Sequence, residues 1–245
     1  MISFTGKTFL ITGAASGIAR AAATELAKYD ANLALCDINL ERLKDASKEL
    51  SGGSGAISCH ETDVSDSTSC QRTAEEAAKR FGKIDHLIHA AGVYPQMLVK
   101  NMTDANWKDL MRVNLDGTFY MCRAVIPYLS DNSSIVNLAS VAAHRGSYSH
   151  AHYAASKGAV SSFSKSLALE LAPKTRVNTV SPGIIATAMT NELLKQKGPA
   201  LLDSTPLKRF GTAQEVAGVI LFLCSQWADF VTGETIHVNG GLYIV

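Results

Sequence analysis

Along the chain, short runs that are apolar throughout alternate with longer stretches in which apolar residues recur at helical spacing. Thr8–Thr12 (TFLIT) reads as a buried strand and 17–28 as an Ala-rich helix. A second strand at 32–36 leads into a charged helix over 40–50. Further strands are predicted at 56–60, Ile84–His89, 134–138, 176–180 and Thr235–Val238, with helices over 66–81, 104–129, 152–172 and 213–225. Strands that lack polar alternation suit a parallel sheet covered on both faces. The order therefore predicts an α/β fold: a doubly wound, parallel seven-stranded sheet of Rossmann type with helices on both faces. Gly52-Gly53-Ser54-Gly55 merely joins a helix to the third strand, and no repeat or break in composition divides the chain. A single domain over 1–245 is expected.

Composition narrows the classes of function. With 23 Lys+Arg against 22 Asp+Glu and 18% charged residues, the chain lacks the basic excess of a nucleic-acid or polybasic membrane binder. Five cysteines (Cys36, Cys59, Cys70, Cys122, Cys224) form no C-x-x-C pair, so they read as reduced thiols packed as small hydrophobes. The N-terminus carries no signal-peptide pattern, and the longest apolar run, 216–224, is far short of the ~20 residues of a membrane span. A cytoplasmic protein with no metal, nucleic-acid or membrane partner is expected.

After the first strand comes Thr12-Gly13-Ala14-Ala15-Ser16-Gly17-Ile18-Ala19. Strand, glycine turn and helix together are the setting of a dinucleotide-binding turn, where free N–H groups and the helix dipole meet a pyrophosphate. Alone, such a turn is only a turn. Asp37 adds to it, lying 24 residues after Gly13 at the end of the second strand, where a carboxylate can bond a ribose 2′-OH and repel a 2′-phosphate. NAD(H) is thus favoured over NADP(H), with a helix N-cap as the plainer use of Asp37. A P-loop is excluded, because Gly6-Lys7-Thr8 precedes a strand instead of following one.

Tyr153 and Lys157 are four apart on one helical face. An ammonium beside a phenol is expected to lower the phenol pKa and make it a usable acid/base. Ser140, at the end of the fifth strand, can hold a substrate oxygen while charge develops on it. No G-x-S-x-G accompanies it, which argues against a serine hydrolase.

These residues, in order and spacing, resemble the short-chain dehydrogenase/reductase family over essentially the whole chain, and within it the 3-oxoacyl-carrier-protein reductase branch. The matching marks are Thr12-Gly13-x-x-x-Gly17-Ile18, Asp63-Val64, Ala91-Gly92, Asn114, Ser140, Tyr153-x-x-x-Lys157, Pro182-Gly183-x-x-x-Thr187 and the closing 232–241 stretch. The resemblance implies hydride transfer between nicotinamide and a ketone or secondary alcohol. Tyr153 would exchange the proton, Ser140 polarise the carbonyl, Lys157 bind the nicotinamide ribose, and Asn114 interrupt its helix to connect Lys157 to solvent. It also implies cofactor contacts from Gly13, Ser16, Gly17, Ile18, Asp37, Asp63, Val64, Ala91, Gly92, Tyr153, Lys157, Pro182, Gly183, Ile185 and Thr187, together with a homotetramer of 222 symmetry. A 3-oxoacyl thioester, on acyl carrier protein or CoA, is the leading substrate. Steroid, polyol or small-alcohol dehydrogenases and a non-catalytic NAD-binding regulator are the alternatives.

Two departures from the family pattern stand out. His89 replaces the first Asn of Asn-Asn-Ala-Gly, so His89 must supply that tie between strands or the tie is lost. Ser16 stands where NADP-using carrier-protein reductases carry Arg. Around the site, His144, Arg145, His150 and His152 are expected to favour an anionic or polar substrate. The stretch at about 184–206, with Leu193, Leu194, Leu201 and Leu202, is expected to form a lid. Basic residues that would dock an acidic carrier are missing from Asp131-Asn132-Ser133-Ser134, and the apolar Leu242-Tyr243-Ile244-Val245 end suggests a subunit interface.

Overall fold

The structure is a computed structural model describing residues 2–50 and 52–245, with Gln196 and Lys197 described by their backbone alone. The strands are β1 (Thr8–Thr12), β2 (Asn32–Asp37), β3 (Ile57–Glu61), β4 (Ile84–His89), β5 (Leu129–Leu138), β6 (Thr175–Pro182) and β7 (Thr235–Val238). They form one seven-stranded sheet in the order β3-β2-β1-β4-β5-β6-β7, with every pairing parallel. The helices are α1 (Gly17–Ala27), α2 (Leu40–Lys48), α3 (Ser67–Phe81), α4 (Asp104–Met111), α5 (Gly117–Val125), α6 (Ala142–Arg145), α7 (Ala151–Leu171), α8 (Asn191–Ser204) and α9 (Ala213–Cys224).

Successive strand residues point to opposite faces, and the core divides accordingly. On one side Phe9, Ile11, Leu33, Leu35 and Ile88 pack with Ala22 and Leu26 of α1 and with Ile220 and Leu223 of α9. On the other, Leu10, Ala34, Leu87 and Ile135 pack with Ala74 and Ala77 of α3, Met121 and Val125 of α5 and Leu167 of α7. Both faces of the sheet are covered, which is why β1 and β4 are apolar or buried at every position. The cysteines are all free; Cys36, Cys70, Cys122 and Cys224 are buried, and burial pushes the thiols of Cys70, Cys122 and Cys224 up to about 12.

The single helix expected over 104–129 is broken into pieces. After α4 the chain widens into a π-helical segment, Arg112–Asp116, then continues as α5 and a 3₁₀ turn at Ile126–Tyr128 that holds Pro127. Within the widened turn the Thr118 hydroxyl donates to the Asn114 carbonyl at 2.7 Å, a side-chain bond that competes with the regular ladder. β5 starts at Leu129, five residues ahead of the apolar run at 134–138.

The strand order reverses beside β1, which lies between β2 and β4. In open α/β sheets such a switch point leaves a crevice at the strand carboxyl ends.

Candidate active site

The crevice is a cleft of about 400 Å³. Every cofactor candidate, from Gly13 on the first turn to Thr187 after β6, lines it together with Ser140, Tyr153 and Lys157. Thr12 of the glycine motif lines it as well, as do Ala188, Met189 and Thr190, which the sequence motifs had not marked.

At the β1–α1 turn Gly13 has φ +72, and a Cβ there would stand 3.1 Å from the Ala91 backbone, so the turn and the β4 loop approach as only glycine permits. Ser16 precedes α1 in extended conformation and makes no side-chain cap; the first turn carries no acidic residue. The N–H groups and positive dipole end of α1 are thus left to an anion, as a pyrophosphate requires. Asp37 closes β2: its Oδ2 accepts from the Ala15 N–H at 3.1 Å and its Oδ1 from the Asn39 N–H at 3.1 Å. The N-cap of α2 is Asn39, which accepts from the Arg42 N–H, so the plainer use of Asp37 does not hold. Apart from Lys157, no Lys or Arg is among the lining residues described.

His89 does supply the strand tie. The Thr12 hydroxyl accepts from the N–H groups of Ala90 and Ala91 at 3.1 and 3.2 Å, which occupies both of its lone pairs. Its own hydrogen therefore goes to His89 Nδ1, 3.0 Å away, joining β1 to β4 and placing the imidazole proton on Nε2. Burial, with Lys157 nearby, takes the His89 pKa down to about 3, so the ring is neutral. Nε2 has no hydrogen-bond partner among the described residues.

The reactive side chains converge from three elements. Ser140 follows β5, and its hydroxyl accepts from the Ala142 N–H at 3.2 Å. Tyr153 and Lys157 lie on α7, with the Lys157 Nζ 5.9 Å from the Tyr153 ring centroid and donating to the Leu138 carbonyl at 2.7 Å. Asn114 alone among the candidates lies behind the cleft. Fully buried in the π-helical segment, it accepts from the Val93 N–H at 2.8 Å and donates to the Val93 carbonyl at 3.0 Å and the Ser156 hydroxyl at 3.3 Å. A Cβ at Gly92 would stand 3.1 Å from the Asn114 Oδ1 and 3.6 Å from the Lys157 Nζ, so Asn114, Gly92 and Lys157 form one packed unit.

The electrostatic balance differs from that expected of an ammonium beside a phenol. Burial pushes Tyr153 up to about 12, with the Ser140 hydrogen bond drawing it partly back and Tyr94 adding to the rise. Burial also brings Lys157 down to about 8. Desolvation outweighs attraction because both groups leave water while the amine reaches for Leu138. At neutral pH the phenol holds its proton and can donate it to an oxygen on which negative charge develops.

The basic loop does not form an anion pocket. His144 stacks on Tyr243 and meets His237 edge-on, His150 stacks on Tyr94, His152 is buried, Arg145 is exposed, and none of the four lines the cleft.

A parallel sheet reversed at β1, with a glycine turn and an uncapped helix facing the crevice, defines a dinucleotide-binding protein. Comparison with known proteins narrows this class. A family profile described as enoyl-(acyl carrier protein) reductase matches residues 13–243. The 3-oxoacyl-[acyl-carrier-protein] reductase of Thermotoga maritima is 39% identical over 98% of each chain, and that of Escherichia coli 36% identical over the full length of both. A crystal structure from Brucella melitensis, titled short-chain dehydrogenase/reductase SDR:Glucose/ribitol dehydrogenase, is 48% identical, covers 100% of this chain and 99% of its own, and superposes with a TM-score of 0.96. The chain belongs to the short-chain dehydrogenase/reductase family, oxidoreductases that use a nicotinamide cofactor and act between a CH–OH and a keto group. No helix among the described residues is long and apolar enough to cross a membrane.

Proposed function

We propose that the protein interconverts a ketone and a secondary alcohol with NAD(H), the ketone being a 3-oxoacyl thioester. The observation that carries this reading is the convergence of Tyr153, Ser140 and Lys157 on the cleft beside the glycine turn. Tyr153 donates its proton to the carbonyl oxygen in reduction and takes it back in oxidation. Ser140 bonds the same oxygen as charge builds there. Lys157, anchored on Leu138, holds the nicotinamide ribose, and Asn114 keeps its π-helical place behind Lys157 to connect it with solvent. The nicotinamide, when bound, supplies or accepts the hydride. Gly13, Ser16, Gly17 and Ile18 would hold the pyrophosphate, Asp37 the adenosine ribose, and Asp63 and Val64 the adenine. Ala91 and Gly92 would support the middle of the cofactor, with Pro182, Gly183, Ile185 and Thr187 at the nicotinamide amide. Residues 184–206, including α8, close over the substrate as a lid within the one domain of 1–245.

The preference for NAD(H) follows from Asp37 and Asp63 at the adenosine end, with no cation among the described lining residues there to receive a 2′-phosphate. With acetoacetyl-CoA as substrate, kcat/KM is expected to favour NADH over NADPH by about tenfold or more, which corresponds to ~1.4 kcal/mol. Asp37→Ser combined with Ile38→Arg is expected to reverse the order. Preference for NADPH in the unmodified protein would overturn the assignment. One observation favours smaller alcohols or polyols as a second reading. Asp131, where a carrier-docking surface would be basic, is exposed and pairs with Lys174 at 3.4 Å. The same assay with polyols, steroids and cyclic ketones decides between the two.

A homotetramer accounts for the apolar side chains left exposed before and after β7. Ile244 and Val245 are 79% and 93% exposed, and Trp227 and Phe230 are exposed before β7, the last strand of the sheet. Light scattering is expected to give about four times the 26.1 kDa of one chain. A monomer would refute it.

A further inference from the structure

The loop after Gly92 sets an aromatic ring against the proposed proton donor. Tyr94 meets Tyr153 edge-on, with centroids 4.6 Å apart and planes at 78°. The same ring is stacked on His150 at 3.9 Å, with planes only 2° apart. His150 Nδ1 lies 2.9 Å from the Tyr148 carbonyl, which can only accept, so Nδ1 carries the proton and the imidazole is pinned. The Tyr94 hydroxyl is 3.4 Å from the Ser147 Oγ, and the Met97 N–H donates to the Ser149 carbonyl at 2.7 Å. Ser149 is held at φ +61, a conformation a serine rarely adopts, and is buried. Two loops far apart in sequence are thus joined around this stack. The phenol faces Tyr94 from the first loop, Ser140 from the end of β5 and Lys157 from its own helix, with His150 behind Tyr94.

We propose that Tyr94 is a positioning residue for proton transfer at Tyr153: held flat on His150, its ring fixes the phenol beside Ser140 and keeps water from that side. This rests on Tyr153 being the acid/base. Edge-to-face aromatic pairs are directional, so the contact restricts the phenol as a merely greasy neighbour would not.

Ionisation of Tyr153 is read without turnover, as the phenolate absorbance of each protein minus that of the same protein carrying Tyr153→Phe. In the native background Tyr153 is expected to stay protonated beyond the ordinary tyrosine value of about 10. With Tyr94→Leu the difference signal is expected to appear roughly one pH unit lower or more. In steady state, Tyr94→Leu lowers kcat about tenfold or more and leaves KM for NADH within about twofold, because Tyr94 does not line the cofactor cleft. Tyr94→Phe keeps the ring and restores both readouts. His150→Ala removes the stack without touching Tyr94 and shifts both in the same direction, which keeps the test open should Tyr94→Leu fold poorly. Native titration and native kcat in Tyr94→Leu and His150→Ala, or a Tyr94→Phe protein as impaired as Tyr94→Leu, would overturn the proposal. Full turnover by Tyr153→Phe alone would instead overturn the acid/base reading, with the absorbance comparison still judging the Tyr94 contact.

Discussion

Tyr153→Phe is expected to lower turnover by about 10²–10⁴-fold, the range over which a positioned acid/base acts, and to leave NADH affinity nearly unchanged. The substitution removes one oxygen and keeps the ring, so the edge contact with Tyr94 and the packing of α7 persist. What disappears is the proton donor beside Ser140, whose pKa of about 12 keeps it protonated at neutral pH. The neighbouring oxygens do not take its place. The Ser140 hydroxyl is a far weaker acid, and the Lys157 amine is held away on the Leu138 carbonyl, 5.9 Å from the Tyr153 ring centroid. Affinity survives because the glycine turn, the α1 N-terminus and Asp37 are untouched. Steady-state rates with NADH absorbance, paired with NADH fluorescence titration, check both halves. Retained turnover would remove Tyr153 from the chemistry, and lost binding would make it a cofactor ligand first.

Lys157→Met is expected to abolish most activity yet stabilise the free protein by about 2 kcal/mol at neutral pH. Burial takes the Lys157 pKa from 10.5 to about 8, and each unit is worth ~1.4 kcal/mol; the lost hydrogen bond to Leu138 offsets part of that gain. The unfolded chain binds this proton more tightly than the folded one. The cost of the buried charge is therefore fully present below about pH 8 and fades as pH rises toward 10.5. Urea unfolding should show the variant ahead at neutral pH and the difference shrinking in alkaline buffer. A variant less stable than the native protein at neutral pH would refute the argument. Such a trade is what a functional residue held in an unfavourable place looks like.

The sheet was legible because its strands are buried on both faces and so leave uninterrupted apolar runs. Two features hid behind that signal. The first half of β5, Leu-Ser-Asp-Asn-Ser, is polar and joins the sheet through its backbone, with Leu129 paired to Ile84 and a register shift before His86. The helical period carries on through 112–116, so one long helix is read where the chain holds a π-helical segment and a 3₁₀ turn. At the site, Tyr153 and Lys157 were legible from their spacing, and Asp37 from its distance to Gly13. Their proton affinities were not, since these depend on burial that only the packed structure sets. The histidine loop misled for a related reason: the rings that engage His144 and His150 are Tyr243, His237 and Tyr94, all remote in sequence.

The π-helical segment has a reach beyond Asn114. One residue of an α-helix turns the chain by about 100°, and a widened turn absorbs one residue more than a regular turn holds. Arg112–Asp116 thus acts as a phase shift between α4 and α5. With that shift, α5 buries Met121, Cys122 and Val125 against the sheet and leaves Phe119 40% exposed. A chain shortened by one residue here would turn every side chain of α5 away from its core partner, so the length of this segment is tied to the angular register of the whole helix.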